Sequence, residues 1–286
     1  MPSLIDIRRR IRSVKNTQQI TKAMKMVSAA KLRKAQDRVI ASRPYAAMLE
    51  TILSNAAAAA GTDDRVMSHS LLARRPLKRV QMILMTSDRG LAGAFNGNLI
   101  KGAQSFAADN SNAEIHYELL GRKGRDFFRR RNAIVTGEHI GIFNKVQVSD
   151  AEGIAKSTAE RFANGETDAV YLIFNEFKSV LSQKITLKKL LPITLPAGGN
   201  TIDYIYEEPP DVLLNGLLPK YVENAIFSAM LESVSSEHAA RMTAMDAAST
   251  NAAEVIEKLT LYMNRVRQAS ITKEIIEVVS GAAALE

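Results

Sequence analysis

Near its end the chain repeats hydrophobic positions every three or four residues over an unusual length. From about Tyr221 to Ala284 no proline interrupts, and the one glycine is Gly281. Steps of three and four in alternation pick out Phe227, Leu231, Val234, His238, Arg241, Met245, Ala248, Ala252, Val255, Leu259, Tyr262, Val266, Ala269, Lys273 and Ile276. An alternation held this long predicts a coiled-coil seam rather than the broad apolar face of a globular helix. About 60 residues of unbroken helix would run ~90 Å, beyond the ~30 Å of a small domain, so much of it should project from any globular part. The seam also contains His238, Arg241, Lys273 and several alanines, so it is not tuned for stability alone.

A second long helix is predicted over residues 3–59. Ser3 with Asp6 makes a capping box, and Leu4, Ile7, Ile11 and Val14 keep the seam spacing. The apolar face then slips to Ile20, Ala23, Met24, Val27, Ala30 and Val39. Pro44 predicts a kink rather than an end, and Gly61 a C-cap. Two long helices at opposite ends of one chain most simply pair with each other, antiparallel. A parallel basic zipper would need leucine to dominate one seam position, and here it does not.

Between them the period changes. Val80–Thr86 is a continuous apolar run and predicts a buried strand. Asn96–Ala108 reads as a helix, Glu114–Leu120 as a strand, Gly121–Arg131 as a short basic helix and Ala133–Thr136 as a strand. Ser149–Asn164 reads as a helix capped by Ser149, and Ala169–Phe177 and Ser179–Leu187 as adjoining strands. Strands alternating with helices indicate a Rossmann-like α/β domain with a largely parallel sheet. The fold class is thus α/β plus a long helical coiled coil. Residues 1–60 are its N-terminal helix, 61–76 a linker, 77–208 the globular domain and 209–286 the C-terminal helix.

Composition narrows the chemistry. The chain has no cysteine, which excludes disulfides, thiolate metal sites and thiol catalysis, and its four histidines have no ligand spacing. No apolar run is long enough to span a membrane, and the N-terminus lacks a signal-peptide pattern. Residues 1–40 hold eleven Lys or Arg against Asp6 and Asp37, a net of +9, whereas the whole chain is +8. The excess positive charge therefore belongs to the first helix, which should attract an acidic partner.

Three chemical readings remain open on the residues alone. The loop from Gly90 to Gly97 follows a strand and precedes a helix, where a phosphate loop would sit. Its spacing, however, is G-x-x-G-x-x-x-G and no G-K-[ST] follows, so a tight turn is the better reading. Asp88 and Arg89 have no catalytic companions and read as a structural ion pair. The basic N-terminal helix suits nucleic acid or an acidic protein, and lacks the interleaved aromatics of a stacking surface. No self-contained active site emerges.

Four stretches carry a resemblance. The run Ile7–Val27 (IRRRIRSVKNTQQITKAMKMV), the loop Ser87–Asn96 (SDRGLAGAFN), the run Ala239–Ala248 (AARMTAMDAA) and the run Asn264–Ile275 (NRVRQASITKEI) resemble the signatures of the gamma subunit of F-type ATP synthases, in order and across essentially the whole chain. Ala92 stands where many members have cysteine. The resemblance implies an antiparallel coiled coil turning as a shaft inside a hexamer of alternating alpha and beta subunits. The α/β domain would rest on the epsilon subunit and the membrane ring of c subunits. Proton flow would turn ring and shaft, and the shaft's asymmetry would bias the beta sites.

By position, the resemblance makes Arg267 and Gln268 a catch on a beta-subunit loop. It sets Met24 and Lys25, with Lys22, Lys31, Arg33 and Lys34, against an acidic beta loop. Arg241 would contribute to coupling, Tyr204, Tyr206 and Glu207 would rest on the c ring, and Val278–Leu285 would seat in an apolar bearing. It implies one copy per complex and no catalytic site or cofactor on this chain, with ATP, ADP and Mg held by alpha and beta. No nucleic acid and no membrane span are expected. The absence of a cysteine-bearing insert implies no thiol regulation. With no transit peptide before the first helix, the expected place is the cytoplasmic face of a bacterial plasma (inner) membrane, as a peripheral subunit.

Overall fold

The structure is a computed structural model that describes residues 3–60, 69–180, 182–194 and 210–283. The linker residues 61–68 and the expected c-ring residues Tyr204, Tyr206 and Glu207 lie outside the described residues. Ten principal elements run along the chain: α1 (Leu4–Ala60), β1 (Arg79–Met85), α2 (Phe95–Asp109), β2 (Glu114–Leu120), α3 (Arg122–Arg129), β3 (Ile134–His139), α4 (Val148–Ala163), β4 (Ala169–Phe177), β5 (Gln183–Leu191) and α5 (Pro210–Ala283). They form two compact units. One is Met1–Ser28 with Met242–Glu286, and the other is Ala29–Arg241. The division falls within both long helices, so the sheet unit includes the second half of α1 and the first half of α5.

In the sheet unit the strand order is β3-β2-β1-β4-β5, with β5 antiparallel to β4 and the other neighbours parallel. Both faces are covered, which is why β1 and β4 read as continuous apolar runs. Met82, Leu84 and Ile173 point into a core with α2 and α3. Ile83, Met85, Val170 and Leu172 point into a core with α4, α1 and α5. α1 runs through Pro44, and α5 begins at Pro210 and runs through Pro219, eleven residues before Tyr221, where the hydrophobic periodicity is read to begin.

Several local expectations are corrected. The cap of α4 is Gln147 rather than Ser149, because Asp150 at the third helical position reaches back to the Gln147 N–H at 3.1 Å in a reciprocal box. The last strand lies four residues later than expected. It pairs with β4 from Phe177–Gln183 to Val170–Leu191, and the two strands are joined by a turn closed between Ser179 and Ser182.

The larger correction concerns α1. Its seam does not slip. Buried and half-buried residues follow an unbroken alternation through Ile7, Ile11, Val14, Gln18, Thr21, Lys25, Ser28, Leu32, Ala35, Val39, Ser42, Ala46, Leu49, Leu53 and Ala56. The middle of that row is polar, and Ile20 and Val27, expected on the apolar face, are 60% and 56% exposed.

Among the described residues, one charged side chain of the sheet unit is buried more completely than any other. Glu118 on β2 is 1% exposed. It accepts hydrogen bonds from Arg161 at 2.7 Å and Thr136 at 2.9 Å, from Gln81 at 3.2 Å, and lies 2.7 Å from His139 Nε2. Burial works to raise its carboxyl, but the bonds from His139, Arg161 and Thr136 together hold it below the ordinary value. The opposing strand makes room with Gly137, where a Cβ would stand 2.0 Å from Glu118 Oε1. Gly137→Ala should therefore displace a buried, paired carboxylate and cost on the order of 3 kcal/mol in urea unfolding. A cost below ~1 kcal/mol would show that this network does not hold β3 to β2.

Candidate functional site

In the helix-pair unit the two ends of the chain lie antiparallel. Lys25 Nζ meets Asp246 Oδ1 at 2.6 Å, Thr21 Oγ1 lies 2.6 Å from Ser249 Oγ, and Gln18 Nε2 donates to the Ser249 carbonyl at 3.3 Å. Ser249 also donates to the Met245 carbonyl, a bond that keeps its hydroxyl satisfied within α5. A shallow groove of about 320 Å³ follows, lined by Lys15, Gln18 and Gln19 on one side and Ala253, Ile256 and Glu257 on the other.

On α5 the covered row of this unit is Met245, Ser249, Ala252, Ile256, Leu259, Met263, Val266 and Ser270. Half of the expected seam is correct, but Val255 and Tyr262 are 41% and 40% exposed. The more apolar of two adjacent rows was the wrong guide, because the antiparallel partner presents Thr21 and Gln18 and these select Ser249. Beyond Ser270 every described residue whose exposure is assigned is exposed, including Ile271, Ile275, Ile276, Val278 and Val279.

The expected site residues fall in separate places. Lys22 is exposed, Met24 is half-buried, and Lys25 is half-buried beside Asp246. Arg267 and Gln268 are exposed, 21 residues beyond Asp246, which is about 30 Å along the helix. The expected contact residues of this unit therefore lie in two places, not one. Lys31, Arg33 and Lys34 are exposed and belong to the sheet unit, as does Arg241.

Among the described residues, Arg241 is the one expected site residue that is buried, at 8% exposure. Its guanidinium donates to Glu237 Oε1 at 2.6 Å and to the carbonyls of Arg89 and Gly90 at 3.3 Å. It also reaches His238 Nδ1 at 3.5 Å. Burial pushes the Glu237 carboxyl up despite the Arg241 charge. Burial first, then the charges of Arg241 and Lys31, push His238 down to about 4.

The glycine loop is held from within. Ser87 and Asn96 bond each other through side chain and backbone at 2.8–3.0 Å. Asp88, expected to pair with Arg89, instead accepts the N–H groups of Arg122 at 3.1 Å and Gly141 at 3.0 Å. The α3 N-terminus offers unpaired backbone donors, and a short carboxylate nearby takes them in preference to an exposed guanidinium. Sequence reasoning missed Leu91, held at φ 61° with its side chain 64% exposed. A bulky residue in that region is rare, and only the restraints on both sides of the loop keep it there. No residue pattern announced it.

The loop turns carbonyls toward a cation of its own chain. A doubly wound sheet holds nucleotides at the carboxyl ends of its strands, where the strand order reverses. Here that place lies between β1 and β4, and α5 occupies it. Ser233 donates to the Met85 carbonyl at 3.3 Å, Ser236 to the Asn175 carbonyl at 2.9 Å, and Glu232 accepts from the Phe177 N–H at 3.0 Å. Among the described residues no group of three or more His, Cys, Asp or Glu could hold a metal, and no helix is long and apolar enough to cross a membrane.

An antiparallel pair made from both chain ends, together with a five-stranded α/β unit whose ligand crevice is filled by its own helix, is the arrangement of a stalk-type subunit. The comparisons agree. A family model described as ATP synthase matches residues 3–285. The ATP synthase gamma chain of Solibacter usitatus is 64% identical over 286 residues, covering all of both chains, and that of Anaeromyxobacter sp. (strain Fw109-5) is 50% identical over 291 residues, also covering all of both. The chain belongs to the ATP synthase gamma chain family. Among solved structures, a chain of the Euglena gracilis mitochondrial ATP synthase superposes with TM-score 0.67 at 18% identity, covering 99% of this chain and 94% of that one. A chain of the Tetrahymena thermophila central stalk and c-ring structure superposes with TM-score 0.61 at 24% identity, covering 80% of this chain and 99% of that one. Both show the same fold.

Arg241→Met should cost about 3–5 kcal/mol in urea unfolding at neutral pH, because Glu237 loses its buried partner. The deficit should narrow in acid, where Glu237 takes up a proton; a deficit independent of pH would refute that cause. For His238 the folded pKa lies below the unfolded one, so between about pH 4 and 6.5 the unfolded chain binds more protons. Stability should thus fall as pH drops through this window, by up to about 3 kcal/mol. His238→Gln should flatten that limb, and an unchanged slope would assign it to other groups.

Proposed function

We propose that this chain is the central rotor subunit of a proton-translocating ATP synthase, with no catalytic site or cofactor of its own. Its partners are then the alpha and beta subunits, the epsilon subunit and the c ring, in one copy per complex. It would sit on the cytoplasmic face of a bacterial inner membrane. The observation that carries this reading is the full-length likeness to gamma chains, realised as a helix pair built from both chain termini.

Chemistry supports the details. Exposed Lys22, Lys31, Arg33 and Lys34 suit an acidic loop of beta. The exposed pair Arg267 and Gln268 offers a bidentate donor and an amide, as a catch needs. The bare apolar end from Ile271 to Val279 needs a greasy surround. Arg241 would act at a distance, by holding the 87–96 loop, rather than by touching a partner. Tyr204, Tyr206 and Glu207 remain the proposed c-ring contact on resemblance alone.

Two measurements test this. The tagged chain isolated from its own membranes should bring one copy per six large subunits, with ATP hydrolysis. A homodimer carrying nucleic acid would sink the assignment. Arg267→Ala with Gln268→Ala should weaken ATP-driven proton pumping severalfold while leaving urea unfolding of the chain unchanged, since both side chains are exposed. Undiminished pumping would remove these two residues from the coupling path.

A further inference from the structure

Helix α3 is the most basic short segment of the sheet unit. From Arg122 to Arg131 it has six basic residues and one acidic one. No acidic residue lies in its first turn, where Arg122, Lys123 and Arg125 crowd instead. Cations at a helix N-terminus oppose the macrodipole, so this placement works against helix stability. Folding does not explain it.

The internal partners are already spent. Arg125 holds Asp126 at 2.7 Å, Arg129 grips both oxygens of Glu138 at 2.7 and 2.9 Å, and Arg131 lies 3.6 Å over the Phe127 ring. Asp88, beside the helix start, directs its oxygens to backbone N–H groups. Among the described residues, no ion pair joins Arg122, Lys123 or Arg130, and all three are exposed. The helix beneath them is rigidly seated. Gly124 donates its N–H to Thr86 Oγ1 at 2.8 Å, and a Cβ there would come within 2.9 Å of the same oxygen, while Phe128 is buried.

We propose that the face of α3 carrying Arg122, Lys123 and Arg130 docks an acidic protein segment of a partner subunit, a proposal that rests on the assembly reading above. Five of the six cations are arginine, whose fork fits carboxylates bidentately, and Arg129 already binds Glu138 in that way. An anionic membrane is the poorer fit. A helix that lies in a lipid surface exposes an apolar face, whereas Phe128 is buried and Phe127 is half-buried under Arg131.

The chain has no cysteine, so Arg130→Cys gives one labelling site. A photo-crosslinker attached there before assembly should, in the purified complex, capture a carboxylate-rich segment of another subunit. The yield should fall about fivefold in about 0.5 M KCl and in the Arg122→Gln, Lys123→Gln background. Adducts only to lipid, no adduct, or a yield indifferent to salt and to both substitutions would overturn the proposal. Urea unfolding of the full chain with Arg122→Gln, Lys123→Gln and Arg130→Gln should show equal or greater stability, and a clear loss would make the cations structural. A chain that enters the ATP-hydrolysing complex without the cross-link refutes this proposal alone; one that enters no such complex refutes the assembly reading too.

Discussion

The sheet unit depends on one buried guanidinium. Arg241 neutralises Glu237 one turn back on α5 and also donates to two backbone carbonyls of the 87–96 loop. A buried cation is costly unless paired and hydrogen-bonded, and this one is both. Because its acceptors are backbone, the loop need only keep its shape for the charge to stay satisfied. The same loop then passes order on. Ser87 and Asn96 brace its base, and Asp88 caps α3 and ties Gly141. One cation thereby links α5, the end of β1 and the start of α3.

The helix-pair unit follows a different logic. Where it is best described, its seam is Gln18, Thr21 and Lys25 against Asp246 and Ser249. Such residues bury little apolar area, and an exposed ion pair adds under about 1 kcal/mol. What they add is register. A buried hydroxyl pair and a matched charge are satisfied in only one alignment of two antiparallel helices, whereas an alanine-rich seam would tolerate sliding. Specificity of alignment is obtained with little gain in stability.

This also explains what could and could not be read from residues. The α/β unit was legible because its strands are buried on both faces, so apolar runs such as Val80–Thr86 mark them directly. The C-terminal helix was legible from the absence of breakers after Pro219, and the N-terminal one from helical spacing and composition on both sides of Pro44. The seam on α1 was not, because its middle positions are polar and the nearby Ile20 and Val27 face outward. Likewise the role of Arg241 was visible only as an oddity in a hydrophobic row. Its acceptors lie more than 150 residues away in sequence, as backbone atoms that no side-chain pattern reveals.

The outward isoleucines and methionines complete the reasoning. Ile20, Met26 and Val27 are each more than half exposed on a stretch of α1 whose inner row, Gln18, Thr21, Lys25 and Ser28, is polar. A free-standing coiled coil would place its largest apolar groups inside and its small or polar ones outside. Here the order is inverted from Gln18 to Ser28. Single exposed apolar residues are ordinary, but an inversion that coincides with surface cations fits a helix pair whose working contacts are external. Over that stretch the chain places its hydrophobic side chains on a surface it does not cover itself, and its inner seam keeps only what alignment requires.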